Sequence, residues 1–134
     1  MKRTRINAAT IAWVAVIGGL VTLMAGGQTA PVPAGTIIEQ DAYFALPGKA
    51  EEVYQLRLHA CDVLERLGLP RGHVLRRLGN PDTRADVMWQ LEFPDEAARQ
   101  RNLKIRLDSS EFTAVREHMR TLISRAEVGT WQQN

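Results

Sequence analysis

Cysteine is almost missing from this chain: Cys61 is the single one among 134 residues. One thiol excludes an internal disulfide framework and a Cys-rich zinc site. On the apolar side of a helix beside Ala60 and Leu64, it reads as a buried structural thiol. His59 lies two positions away, so the pair points in different directions and does not chelate. Other signatures are missing too. There is no Gly-rich phosphate loop and no serine in a nucleophile elbow. No His/Cys/Asp spacing fits zinc or calcium. The sequence therefore gives no reason to expect a cofactor or a metal. It contains no internal repeat and no low-complexity tract. Acidic residues are also absent before Glu39, while Lys2, Arg3 and Arg5 stand at the start.

That uneven charge changes the reading of the formal net charge of +2. Without the three leading cations, 14 basic residues face 15 acidic ones. The remainder is nearly neutral, which argues against nucleic acid as a partner. The leading cations are followed by an uncharged apolar run over residues 11–24, IAWVAVIGGLVTLM, and then by small residues. This is the order of a secretory signal. Cleavage after Gly27 places Ala25 at −3, and cleavage after Ala34 places Val32 at −3. A retained membrane anchor is the alternative, since residues 8–27 reach the roughly 20 residues a spanning helix needs. In either case the basic end stays inside and the rest of the chain faces out, in the periplasm or beyond. The organisation is thus a leader over 1–34 and one domain over 35–134.

Within the domain, residues 36–46 (TIIEQDAYFAL) read as a strand stopped by Pro47-Gly48. Ile38, Ala42 and Phe44 share its apolar face, and Glu39, Asp41 and Tyr43 share a mixed one. Residues 49–67 carry a helical stripe of Ala50, Val53, Leu56 or Arg57, Ala60 and Leu64, ended by Gly68 and Pro70. Residues 71–78 read as a second strand. Residues 86–93 are a third, with Val87, Trp89, Leu91 and Phe93 alternating against Met88, Gln90 and Glu92. A helical region follows from Asp95 to about residue 126, broken near 108–111, where Asp108 and Glu111 have capping-box spacing. Residues 127–132 read as a short last strand. The order β-α-β-β-α-β defines an α+β, ferredoxin-like fold.

Two segments carry a family likeness. The run VMWQLEFPDEAARQRNLKIRLDSSEFTAVREHMRTLISRAE (residues 87–127) resembles the second half of dimeric α/β-barrel proteins of the NIPSNAP-like and antibiotic-biosynthesis-monooxygenase-like kinds. YFALPGKAEEVYQL (residues 43–56) resembles their first strand, Pro-Gly turn and helix. The resemblance implies a homodimer in which two four-stranded sheets face each other around a shared barrel. Haem-degrading relatives place a helix His four residues after the helix Phe. Here Arg116 holds that position, His118 comes two residues later and strand one has no Asn, so the likeness does not extend to haem.

Parity makes Met88, Gln90 and Glu92 the barrel-facing set of strand three, matched by Glu39, Asp41 and Tyr43 from strand one and by His73, Leu75 and Arg77, or alternatively Val74 and Arg76, from strand two. In such a barrel His73 or Glu92 would act as a base, and Arg77 would hold a developing oxyanion. Alternatively Arg77 and Glu92 pair across the hairpin as structural charges. Trp89 is either core under the helices or, in the opposite register, a stacking surface for a ligand. The Arg99, Arg101, Lys104 and Arg106 cluster reads as a solvated, salt-bridged face, with Asp95 within reach of Arg99. The leading expectation is an exported homodimer that binds a small, partly apolar organic ligand in its barrel. A cofactor-independent monooxygenase-like enzyme for a phenolic or other small substrate, and an envelope module with a filled barrel, are the alternatives. A membrane is a partner only if the leader is kept.

Overall fold

The computed structural model describes residues 35–134. The leader read over residues 1–34, with its cleavage sites, lies outside the described residues. The described chain runs β1 (Ile37–Ala45), α1 (Ala50–Arg66), β2 (His73–Arg76), β3 (Val87–Phe93), α2 (Glu96–Asp108), α3 (Ser110–Leu122) and β4 (Ile123–Gln132). One four-stranded sheet has the order β2-β3-β1-β4, with every neighbouring pair antiparallel. This is the ferredoxin-like α+β fold. The split crossovers leave β1 and β4 at the middle and one edge, with the helices on one face.

β3 positions the core. Val87, Trp89, Leu91 and Phe93 are buried, and Met88, Gln90 and Glu92 are not. A two-residue side-chain period in a half-covered strand gives this alternation. Trp89 is the largest fully buried side chain, and its indole Nε1 donates to the Arg71 carbonyl at 3.0 Å. Gly72 makes room for it. Gly72 has φ +73°, and a Cβ there would come within 2.5 Å of Trp89 Nε1 and 2.6 Å of the Gln90 carbonyl oxygen. Against β3 lie Val53, Ala60, Cys61 and Leu64 of α1, and Phe112, Val115 and Met119 of α3. The α1 stripe passes through Arg57 rather than Leu56, so a guanidinium sits among these apolar side chains.

The helical region after β3 breaks where expected but is capped differently. Asp95 caps α2, accepting from the Ala98 amide at 2.7 Å. Arg99 pairs with Glu96 rather than Asp95. At the break Ser109, not Asp108, caps α3 by accepting from the Phe112 amide at 3.1 Å. β4 starts at Ile123, four residues before the expected position. Residues 123–126 carry a helical apolar pattern, but pairing with Ala45, Phe44 and Tyr43 of β1 extends them. Hydrogen bonds along a sheet edge decide this over local periodicity.

Candidate functional site

Register separates the residues that the sequence grouped together. Asp41 stands opposite Trp89, and Tyr43 opposite Val87. Both therefore point to the helix-covered face with the core, as does Glu39. Met88 and Gln90 stand opposite Ala42 and Gln40 on the open face. His73 and Leu75 of β2 join them, opposite Gln90 and Met88. Glu92 is on the open face too, exposed and opposite Ile38. The expected single set of Asp41, Tyr43, His73, Arg77, Met88, Gln90 and Glu92 is thus divided by the sheet. The parity of β1 is the reverse of its apolar pattern, because arginines from the helices reach its acidic side.

The open face carries polar pairings of its own, among them Arg125 with Glu127 on β4 at 3.0 Å. Gln90 Nε2 donates to Gln40 Oε1 at 2.8 Å. Arg77 does not pair with Glu92. Its guanidinium binds the Asp86 carboxylate and donates to the Asn80 carbonyl at 2.6 Å, while Asp86 accepts from the Ala45 amide at 2.9 Å. Arg77 is committed to anchoring the β2–β3 connection to β1.

The helix-covered face holds the more chemical arrangement. Glu39 is buried and accepts from Arg106 Nη2 at 2.8 Å and from Arg99 Nη1 at 3.0 Å. Half of the expected solvated arginine cluster thus turns inward, while Arg101 and Lys104 stay exposed. Tyr43 Oη donates to Asp41 Oδ2 at 2.8 Å and accepts from Arg57 Nη1 at 3.3 Å. Arg57 lies over the Trp89 ring at 4.0 Å from its centroid, and Arg106 at 5.4 Å. Stacking on an indole face is favourable for a guanidinium removed from water.

These groups line a cleft of about 370 Å³ between the sheet and α2/α3. Glu39, Asp41, Tyr43, Arg57 and Arg106 line its inner part, and Arg116 and Arg120, both exposed, complete its polar lining. Leu103, Leu107, Phe112, Val115, Met119 and Val128 give apolar walls. Burial pushes the Asp41 carboxyl above its ordinary value of 3.8, against the opposing effects of the Tyr43 hydrogen bond and the Arg57 charge. Burial likewise pushes the Tyr43 phenol well above its usual range. A carboxyl displaced upward in an apolar cleft, held by a phenol and next to a guanidinium, can exchange a proton with a bound molecule or hydrogen-bond it. Among the described residues no group of three or more His, Cys, Asp and Glu side chains is arranged to hold a metal ion.

Sequence reasoning grouped Glu39 with Asp41 and Tyr43 but did not pair it with Arg99 and Arg106, and it read Arg57 only as an alternative to Leu56 on the α1 stripe. The available signal was the position of Arg57 on the apolar stripe of α1, where a charge requires a partner.

No protein-family model matches the chain, and no curated protein matches its sequence. Its fold is that of several solved structures. A NIPSNAP family protein from Agrobacterium tumefaciens aligns with a TM-score of 0.58 at 13% identity, covering 80% of this chain and 93% of that one. A dimeric ferredoxin-like protein of unknown function from Bacteroides fragilis aligns at 0.56 and 12% identity, covering 73% and 96%. A candidate antibiotic biosynthesis monooxygenase from Bacteroides thetaiotaomicron aligns at 0.51 and 14%, covering 75% and 88%. At these identities the likeness establishes the shared fold.

Proposed function

We propose that this protein binds a small, partly apolar organic molecule in the cleft between its sheet and its helices. One observation carries the reading: an apolar-walled cleft of about 370 Å³ ends in the buried Asp41–Tyr43–Arg57 cluster. Concave, mostly apolar sites with a few convergent polar groups are the usual form of small-molecule sites. This moves the expected ligand from the barrel to the opposite side of the sheet. His73 and Glu92, the bases suggested by the sequence, lie away from this cleft, and Asp41 takes their place.

A second copy of the chain covers the open face in this proposal. Leu75 is 44% exposed and Trp131, opposite Ile38 on β4, is 60% exposed. Phe44 and Met88 add to the same face. The solved ferredoxin-like structures from Bacteroides fragilis and Thermobifida fusca are described as dimeric, which favours this arrangement. Export through the 1–34 leader belongs to the same proposal. Intact mass of material from outside the cytoplasm is expected to start at Gln28 or Gly35, and a full-length membrane-bound product would replace export by anchoring.

A catalytic reading is supported by the place of Asp41, a carboxyl that lines the cleft and accepts from Tyr43 at 2.8 Å, where burial favours its protonated form. As a base it would take a phenolic proton, as a cofactor-independent oxygenase requires. Ligand screening with a panel of aromatic alcohols, acids and amides, read by thermal shift and calorimetry, tests the binding reading. Saturable binding weakened by blocking the cleft with Val115→Trp supports it. Binding unchanged in that variant would move the ligand elsewhere. Oxygen uptake with hydroquinones, lost in Asp41→Asn, separates enzyme from binder.

A further inference from the structure

We infer that the ligand of the cleft is an organic carboxylate, whose head group is taken by the free edge of Arg57. The inference rests on the cleft being the binding site, and it names the chemical class that the cleft selects. Arg57 is 4% exposed and has no carboxylate hydrogen-bonded to it. Nη1 is used by Tyr43, whereas Nε and Nη2 are both buried without a hydrogen-bond partner. These two nitrogens form one edge of the guanidinium. Their N–H bonds run parallel, and a carboxylate accepts such a pair in a bidentate fork. Cys61, one turn along α1, interacts with the Arg57 guanidinium through a thiol, which is only a weak acceptor.

The other charged groups of the cleft are arranged differently. Glu39 already serves Arg99 and Arg106. Asp41 accepts from Tyr43. Four guanidinium groups line the cleft, from Arg57, Arg106, Arg116 and Arg120, against the two carboxyls of Glu39 and Asp41. Arg116 and Arg120 are exposed, stand one turn apart on α3 and make no hydrogen bond or ion pair with any described residue. They leave the mouth electropositive, which draws in anions and speeds their association. The apolar walls take the organic body and the buried edge takes the head. A buried donor pair without acceptors carries a desolvation cost that a carboxylate removes on binding.

The test compares 2-naphthoate with 2-naphthamide, which share a shape and differ in charge, by calorimetry on the full chain. Naphthoate is expected to bind at least about tenfold more tightly, the scale of charge-assisted hydrogen bonds. Arg57→Gln is expected to abolish that preference while amide binding persists, and Arg57→Lys to recover part of it. Should Arg57→Gln fail to fold, the exposed double variant Arg116→Ala/Arg120→Ala decides. It is expected to slow association of naphthoate several-fold at low salt and leave the amide unchanged. Equal rates for the double variant and the native chain would overturn the inference in that event. Equal affinity of acid and amide for the native chain, or a preference that survives in folded Arg57→Gln, overturns the inference and leaves cleft binding standing. If neither probe binds, the cleft reading falls and this inference with it.

Discussion

The two faces of the sheet are built on opposite principles. The covered face receives the charged side of β1: Glu39 and Asp41 lie beneath helices beside Trp89. The open face receives its apolar side, with Ile38, Ala42 and Phe44 beside Met88 and Leu75. Strand polarity alone would invert this. The covered face tolerates carboxylates because Arg99 and Arg106 descend from α2 to bind Glu39, and Arg57 descends from α1 to the Tyr43 phenol that donates to Asp41. Buried charge is acceptable only when paired and hydrogen-bonded. The open face has no helix over it among the described residues, and only Arg125, stacked on Phe44 at 3.5 Å from the ring centroid, covers part of its apolar surface.

The contrast is broken most severely at Trp89. Trp89→Ala removes the largest buried side chain, frees the Arg71 carbonyl and takes away the surface under Arg57. A loss of about 4 kcal/mol is expected in urea unfolding. Glu39→Ala comes next, with a loss of about 3 kcal/mol, because Arg106 keeps a buried charge without a carboxylate partner, while Arg99 retains Glu96. A loss below about 1 kcal/mol would mean that the arginines escape to water and that the covered face is less dry than its geometry indicates.

On the open face the expectation reverses. Leu75→Glu with Trp131→Glu is expected to change the stability of the monomer by less than about 0.5 kcal/mol per site, as for ordinary surface positions. It is expected to abolish dimerisation in sedimentation at micromolar concentration. Large destabilisation of a chain that is already monomeric would show that this face is core rather than interface.

Asp41→Asn gives the smallest effect and the sharpest one. Burial raises the folded-state pKa of Asp41 above its unfolded value of 3.8. The folded chain therefore holds this proton more tightly. The group's contribution to stability is complete below pH 3.8 and is lost as pH rises through the folded value. At neutral pH the Asn variant, which still offers Tyr43 an acceptor, is expected to melt slightly higher than the native chain. The gain should vanish below pH 3.8. A pH-independent difference would remove burial as the cause.

Much of the architecture was legible in the chain itself. The alternation of residues 87–93 and the stripe through Val53, Ala60 and Leu64 each report burial on one side of one element. Turn residues such as Pro47-Gly48 and Gly68 marked the ends. The candidate site was legible only in pieces. Asp41 and Tyr43 were singled out, but with open-face companions, while Arg57 passed as an alternative to Leu56.

The sequence by itself determined element type, element order and the core face of β3, since these depend on short repeats that neighbouring residues impose on one another. The tertiary structure decided which face of β1 is covered, where β4 begins and which polar groups meet. Each of these depends on a partner far along the chain. Glu39 is stable in the interior because Arg106 arrives 67 residues later, and the edge of Arg57 is free because Tyr43, 14 residues earlier, engages only one of its nitrogens.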